Sequence, residues 1–163
     1  VLDTLYLGQY NEDFLAITDY ESVDELEEDY ENGILVETDY FAYYFDVSLL
    51  TDATRSRLAE LYKELYSFSK YQVAPSSGDE NAYTVEVTVS PIDVIKKVVD
   101  EDMDYYLESF QRLYDNGDFD SLTEAEYEDL YAQGIIALIQ DRMTDVGYLE
   151  DQTVLKYKRY VVY

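Results

Sequence analysis

The sequence predicts an α+β fold, about five helices packed on a small antiparallel sheet of three to four strands. Three observations point that way. Apolar residues recur at helical spacing over most of the chain, the period switches to two between Lys70 and Ile92, and the C-terminal stretch TVLKYKRYVVY alternates β-branched and aromatic residues loosely. With 163 residues and 47% hydrophobic content, the chain suits one domain spanning 1–163. The likeness of LYLGQY and YENGI to the later LYDNGDF and YAQGI raises an alternative, a pair of helix-pair-plus-strand halves over 1–90 and 91–163.

The opening VLDTLYLGQYNEDFLAIT reads as a helix stopped at Gly8, then a short helical turn carrying Phe14, Leu15 and Ile17. In SVDE, Ser22 is a helix cap and Glu25 is placed to reach back to the cap nitrogen. Val23, Leu26, Tyr30, Ile34, Phe41 and Phe45 follow at helical spacing. Around YFAYYF this helix is apolar on nearly all sides, which predicts a central, buried element. A further helix starts near Thr51, with Leu58, Leu61, Tyr62, Leu65 and Phe68 on one stripe.

In KYQVAPSSGDENAYTVEVTVSPI, Tyr83, Val85, Val87 and Val89 alternate with Thr84, Glu86 and Thr88, and the Pro, Ser and Gly residues before them supply a hairpin loop. The expectation is an antiparallel strand pair with one wet face. Helical spacing returns from Ile92 to Tyr114 through Ile95, Val98, Val99, Met103, Tyr106, Phe110 and Leu113, and Asn116 with Gly117 ends it. The last helix starts at Thr123, carries Tyr127, Leu130, Tyr131, Ile135 and Leu138, and runs to about Val146 and Gly147. The final stretch is a third strand, expected to pair with Thr84 to Val89.

The formal charge is -26, and residues 1–54 hold 15 acids and no Lys or Arg. Affinity for phosphate backbones and anionic membranes comes from Lys and Arg, so nucleic acid and anionic bilayers are not expected partners. The 20 Tyr and 6 Phe argue for a packed core against disorder, with the acids at the surface. Absence of Cys, His and Trp removes disulfides, thiol nucleophiles, imidazole bases and zinc sites, and leans the compartment toward the outside of the cell. No apolar run approaches the roughly 18 residues that a membrane span needs. The chain begins at Val1 inside an apolar pattern, which leads to the expectation that a targeting segment precedes it.

The stretch DNGDFDSLTEAEYED resembles a calcium loop starting at Asp115. Leu122 and Glu126 fill loop positions 8 and 12, but positions 3, 5 and 6 are Gly117, Phe119 and Asp120, so two ligands and the turn glycine are missing. The residues are better explained by Asn116 and Gly117 stopping one helix and by Thr123 and Glu126 forming a capping box for the next. No metal and no cofactor are expected. Paired carboxylates are the acid–base chemistry that this composition readily allows, and a small carboxylate-dependent enzyme is therefore the alternative to a binding module. No one pair stands out among 37 acids, so no catalytic residue is assigned. An acidic mimic of nucleic acid is a third possibility.

Tyr62, Tyr106, Tyr127 and Tyr131 fall on apolar stripes and read as core, whereas Tyr20, Tyr43, Tyr105 and Tyr148 fit the stripes less well and read as exposed. On the wet face of the sheet, Lys156 and Lys158 are expected to oppose Thr84, Glu86 and Thr88. Glu86, Lys156 and Lys158 form the candidate interaction surface.

The set LYLGQYNEDF, DELEEDYENGI, YFAYYF, LYKELYSFSKYQV, YTVEVTVSPIDV and LYAQGIIAL resembles an uncharacterised domain of cell-surface lipoproteins from Gram-positive, mostly gut-dwelling bacteria. The likeness rests on overall pattern and has no catalytic signature. It implies an export signal and a lipid-anchored Cys upstream of Val1. It further implies an extracellular, non-catalytic module that binds a protein or glycan of the cell envelope without itself entering the membrane.

Overall fold

The computed structural model describes residues 2–10, 14, 15, 18, 20–79 and 82–160. The expected Ile17, loop residues 80 and 81, and the last three residues lie outside these. The fold is α+β, with a four-stranded antiparallel sheet and, among the described residues, five helices of six residues or more.

Helix α1 (Leu2–Leu7) ends at Gly8, whose N–H returns to the Thr4 carbonyl at 3.2 Å. Helix α2 (Val23–Tyr44) is capped by Ser22, which accepts the Glu25 N–H at 3.2 Å. The Glu25 carboxylate reaches the N–H of Glu21 at 2.8 Å, one residue before the expected cap nitrogen. Leu26, Ile34 and Phe41 bury one face of α2. The expectation of a helix apolar all round fails, because Tyr40, Tyr43 and Tyr44 are exposed, Tyr43 at 86%. A tyrosine counts as apolar in a pattern, yet its hydroxyl lets it stand in water.

Helix α3 (Asp52–Tyr66) starts at Thr51, which accepts the Thr54 N–H, and buries Leu58, Leu61 and Leu65 as expected. Helix α4 begins as Val94–Lys97, passes through a π turn at Val98–Asp102, and continues as Met103–Asp115. In the wide turn the Met103 N–H bonds the Val98 carbonyl, five residues back. Val98 and Phe110 are buried on it, but Leu113 is exposed. Gly117 takes φ 81°, a left-handed position that costs glycine nothing, and the Asp118 N–H turns back to the Leu113 carbonyl at 3.0 Å.

Helix α5 (Glu124–Arg142) is the central element. Its buried side is Ala132, Ile135, Ile136 and Ile139, rotated from the expected stripe, and Leu130 faces solvent at 42%. The run IIALI is apolar on consecutive positions, so period alone could not choose its inner face. Gly134 lies where Tyr106 crosses from α4, and a Cβ there would strike the Tyr106 hydroxyl, which donates to the Tyr131 carbonyl at 2.8 Å. The resulting core joins α2, α3, α4 and α5 through Phe41, Leu58, Val94, Val98 and Ile135.

Strand β3 (Ala82–Ser90) is the axis of the sheet. Strand β4 (Thr153–Tyr160) pairs along one side from Ala82 to Val89, as expected of the final stretch. The other side is shared by β1 (Lys70–Val73) and β2 (Ser77–Asp79). The expected hairpin loop at the Pro, Ser and Gly residues is therefore displaced. Ala74 still donates to the Glu86 carbonyl at 2.9 Å, the edge is interrupted at Pro75, which has no N–H to donate, and pairing resumes at Ser77. The segment after α5 is pinned beside the start of α4. Ile92 bridges Tyr148, the Gly147 N–H bonds the Asp93 carboxylate at 3.0 Å, and the Tyr148 hydroxyl donates to the Phe68 carbonyl at 2.7 Å. Tyr148 is thus a structural residue and not an exposed one.

Candidate functional site

Alternation along β3 and β4 sorts the sheet into two faces. On the polar face Glu86 is the cross-strand partner of Lys156, and Thr84 is the partner of Lys158. The Lys156 ammonium bonds the Glu86 carboxylate at 2.7 Å, with both side chains exposed, and the carboxylate raises the pKa of the lysine. Lys158 is exposed beside them. The three residues expected to share a face do share it, Glu86 on the central strand and the lysines on outer strand β4, where they also discourage edge-to-edge pairing with another sheet.

The apolar face carries Val85, Val87 and Val89 with Leu155 and Tyr157 opposite. Val87 is buried, while Tyr83 and Tyr157 stand half-exposed, so the helices cover one end of the face and leave the other open. Under the covered end lies a cavity of about 390 Å³. Its floor is Val87, Val89 and Leu155, and Leu65 of α3, Ile95 of α4 and Ile92 of the segment between them line its other side, leaving it partly open. Its polar residues include Tyr6 of α1, Tyr62 and Tyr66 of α3, Tyr71 of β1 and Glu37 of α2, with Ser69, Lys70 and Ser90 at the sheet. The rings of Tyr6 and Tyr66 meet edge to face at 5.6 Å.

Burial raises the pKa of the Tyr62 and Tyr66 hydroxyls far above the tyrosine range, and the Glu37 carboxylate beside Tyr66 adds to the shift there. Burial pushes Tyr71 up to about 12, helped by the Asp3 carboxylate that its hydroxyl bonds. All three stay protonated donors at neutral pH. No local sequence pattern could have revealed this cavity, because five separate segments build its wall. The nearest signal was the tyrosine pair at 62 and 66, one helical turn apart.

The calcium-like loop is organised otherwise. Thr123 accepts the Glu126 N–H at 3.3 Å while the Glu126 carboxylate accepts the Thr123 N–H at 2.8 Å, a complete capping box. Phe119, at loop position 5, inserts its ring 4.8 Å from Phe110 and 5.5 Å from Tyr127. Hydrogen bonds from the Thr123 backbone and side chain hold the Glu126 carboxyl below its usual range. Asp102 is lowered by the Arg142 guanidinium that grips it through two 2.7 Å bonds. At Asp129 burial pushes upward, but hydrogen bonds from Thr51, Thr54 and Gln133 outweigh it. These three carboxyls are shifted down, as caps and ion pairs require, whereas a general acid needs the opposite shift.

The chain has an α+β fold, with a helical layer over one end of an antiparallel sheet and a tyrosine-walled cavity between them. The chain matches no protein-family model, and no curated protein is significantly similar to it. Its structure is similar to the crystal structure of a putative lipoprotein (ycdA) from Bacillus subtilis, with a TM-score of 0.54 and 19% identity. The match takes in 98% of this chain and 46% of the other, so the present chain spans just under half that protein's length. Among the described residues, no helix is long and apolar enough to cross a membrane.

Proposed function

We propose that residues 1–163 form one non-catalytic binding module of a bacterial cell-envelope lipoprotein, displayed outside a Gram-positive cell and capturing a protein or glycan of the envelope. The fold likeness to the Bacillus subtilis lipoprotein over 98% of this chain carries the reading. The sequence has no Cys or His to serve as nucleophile or imidazole base, which supports a non-catalytic role. Recognition is assigned to the polar sheet face, where Glu86, Lys156 and Lys158 present mixed charge on a rigid strand pair within an otherwise acidic molecule.

The test has two arms. Metabolic labelling of the full-length gene product with a palmitate analogue, followed by protease treatment of intact cells, should give a labelled protein that is cleaved from outside. In the second arm, Glu86→Lys combined with Lys156→Glu keeps the cross-strand pair but reverses it, so folding is retained while capture of a purified wall glycan or envelope protein weakens. An unlabelled protein protected inside intact cells would end the lipoprotein reading. Undiminished capture by the reversed pair would remove this face from recognition.

A further inference from the structure

The cavity beneath the apolar sheet face lies on the opposite side of the sheet from Glu86, Lys156 and Lys158, so its role is independent of recognition there. Its volume of about 390 Å³ is within the usual range of small-molecule sites, and its wall is mostly apolar with a few placed polar groups. Two charged side chains border it, Glu37 and Lys70. The Lys70 ammonium is turned away, sitting 3.9 Å from the ring centroid of Tyr148, a residue outside the wall. Glu37 is the charge left on its wall, and it accepts a hydrogen bond from the hydroxyl of the half-buried Tyr66.

Tyr62 and Tyr66 feel that carboxylate directly, and Tyr6 packs on Tyr66, with ring centroids 5.6 Å apart for Tyr6 and Tyr66 and 6.1 Å for Tyr62 and Tyr66. Aromatic faces carry negative charge density and attract cations, most effectively when desolvated. An anion would meet the Glu37 carboxylate, while a neutral apolar molecule would gain nothing from it. The molecule's charge of -26 further concentrates cations at its surface. We infer that the cavity binds an organic monocation, a substituted ammonium on an apolar body, with the ammonium against Glu37 and the tyrosine rings and the body on Val87, Val89 and Leu155.

Calorimetry on the 1–163 chain at about 0.15 M salt, where exposed charges are screened beyond about 8 Å, tests this with hexyltrimethylammonium, hexanol and hexanoate. The ammonium should bind at one site at least about tenfold more tightly than the other two. Glu37→Gln, which keeps the side-chain volume, should remove that preference. Glu28→Gln, which neutralises an exposed carboxylate on the same helix, should leave it intact. Val89→Phe fills the floor and should weaken all three probes, with circular dichroism confirming the fold of each variant. Equal affinity for hexanol, no saturable binding of the ammonium, or equal losses in Glu28→Gln and Glu37→Gln would each overturn the assignment, the last by tracing the attraction to net charge.

Discussion

Replacing Thr123 with Ala removes the oxygen that accepts the Glu126 N–H and leaves the Glu126 carboxylate without its side-chain partner. The expected loss is about 1 kcal/mol, read as a lower midpoint in urea unfolding. Calcium should not compensate, because Glu126 is engaged on the cap and Phe119 is packed where a loop ligand would stand. Stoichiometric calcium binding that vanished in Glu126→Gln would contradict both statements. Cap chemistry was legible in the sequence because it is local, with donor and acceptor within four positions. At Ser22 it was legible only in part, since Glu25 could reach either of two neighbouring N–H groups and takes that of Glu21. Thr38 gave no signal at all. It is fully buried, donates to the Leu35 carbonyl and receives Arg55 from α3 at 2.8 Å, a role that exists only once two helices have met.

The same contrast between local and assembled information holds for whole elements. The start of α3, the central strand and its pairing with the last strand followed from period and turn chemistry, whereas the helix ends at Tyr66, before the Phe68 that the stripe included. The choice of central helix did not, because tyrosine-rich YFAYYF looked more apolar than the true core helix and the IIALI run offered no preferred face. The π turn in α4 was also invisible, having no residue signature of its own. That turn ends at Asp102, which meets Arg142 at the C-terminus of α5 in a bidentate pair, with Glu101 2.8 Å from the same guanidinium. Since the folded pKa of Asp102 is lowered, its contribution is fully present above the unfolded value of about 3.9 and is lost as pH falls through the folded value. Asp102→Asn should therefore be less stable than the parent at pH 7, and the gap should narrow below about pH 4. Urea unfolding of both proteins at pH 7 and pH 3 measures it, and a gap that stayed constant would mean that the pair does not couple to protonation.

At the scale of the molecule the sequence disclosed charge but not enclosure. The cavity draws on α1, α2, α3, the sheet and the start of α4 with the segment before it, so it could appear only with the assembled fold. Charge is additive and needs no fold, yet its distribution does. Of the acids before Arg55, Asp39 is bonded by Arg55 at 2.5 Å and Glu31 by Lys63 at 2.8 Å, which places two cations of α3 against α2. Added salt weakens such pairs, but exposed pairs contribute only up to about 1 kcal/mol each. It also weakens repulsion among 37 acids that 11 cations cannot neutralise, and this second effect involves far more charges. Repulsion should dominate. The melting temperature is expected to rise by about 2–4 °C, equivalent to about 1 kcal/mol, as sodium chloride goes from about 10 to 150 mM and the screening length falls from about 30 to 8 Å. Screening depends on ionic strength, whereas surface exclusion of salt depends on the anion and keeps growing with concentration. Sodium chloride and sodium sulfate matched in ionic strength should therefore give the same early rise and diverge only at higher concentration. A midpoint that fell in chloride, or a rise seen in sulfate alone, would show that the bridges from Arg55, Lys63 and Arg142 already balance the acidic surface.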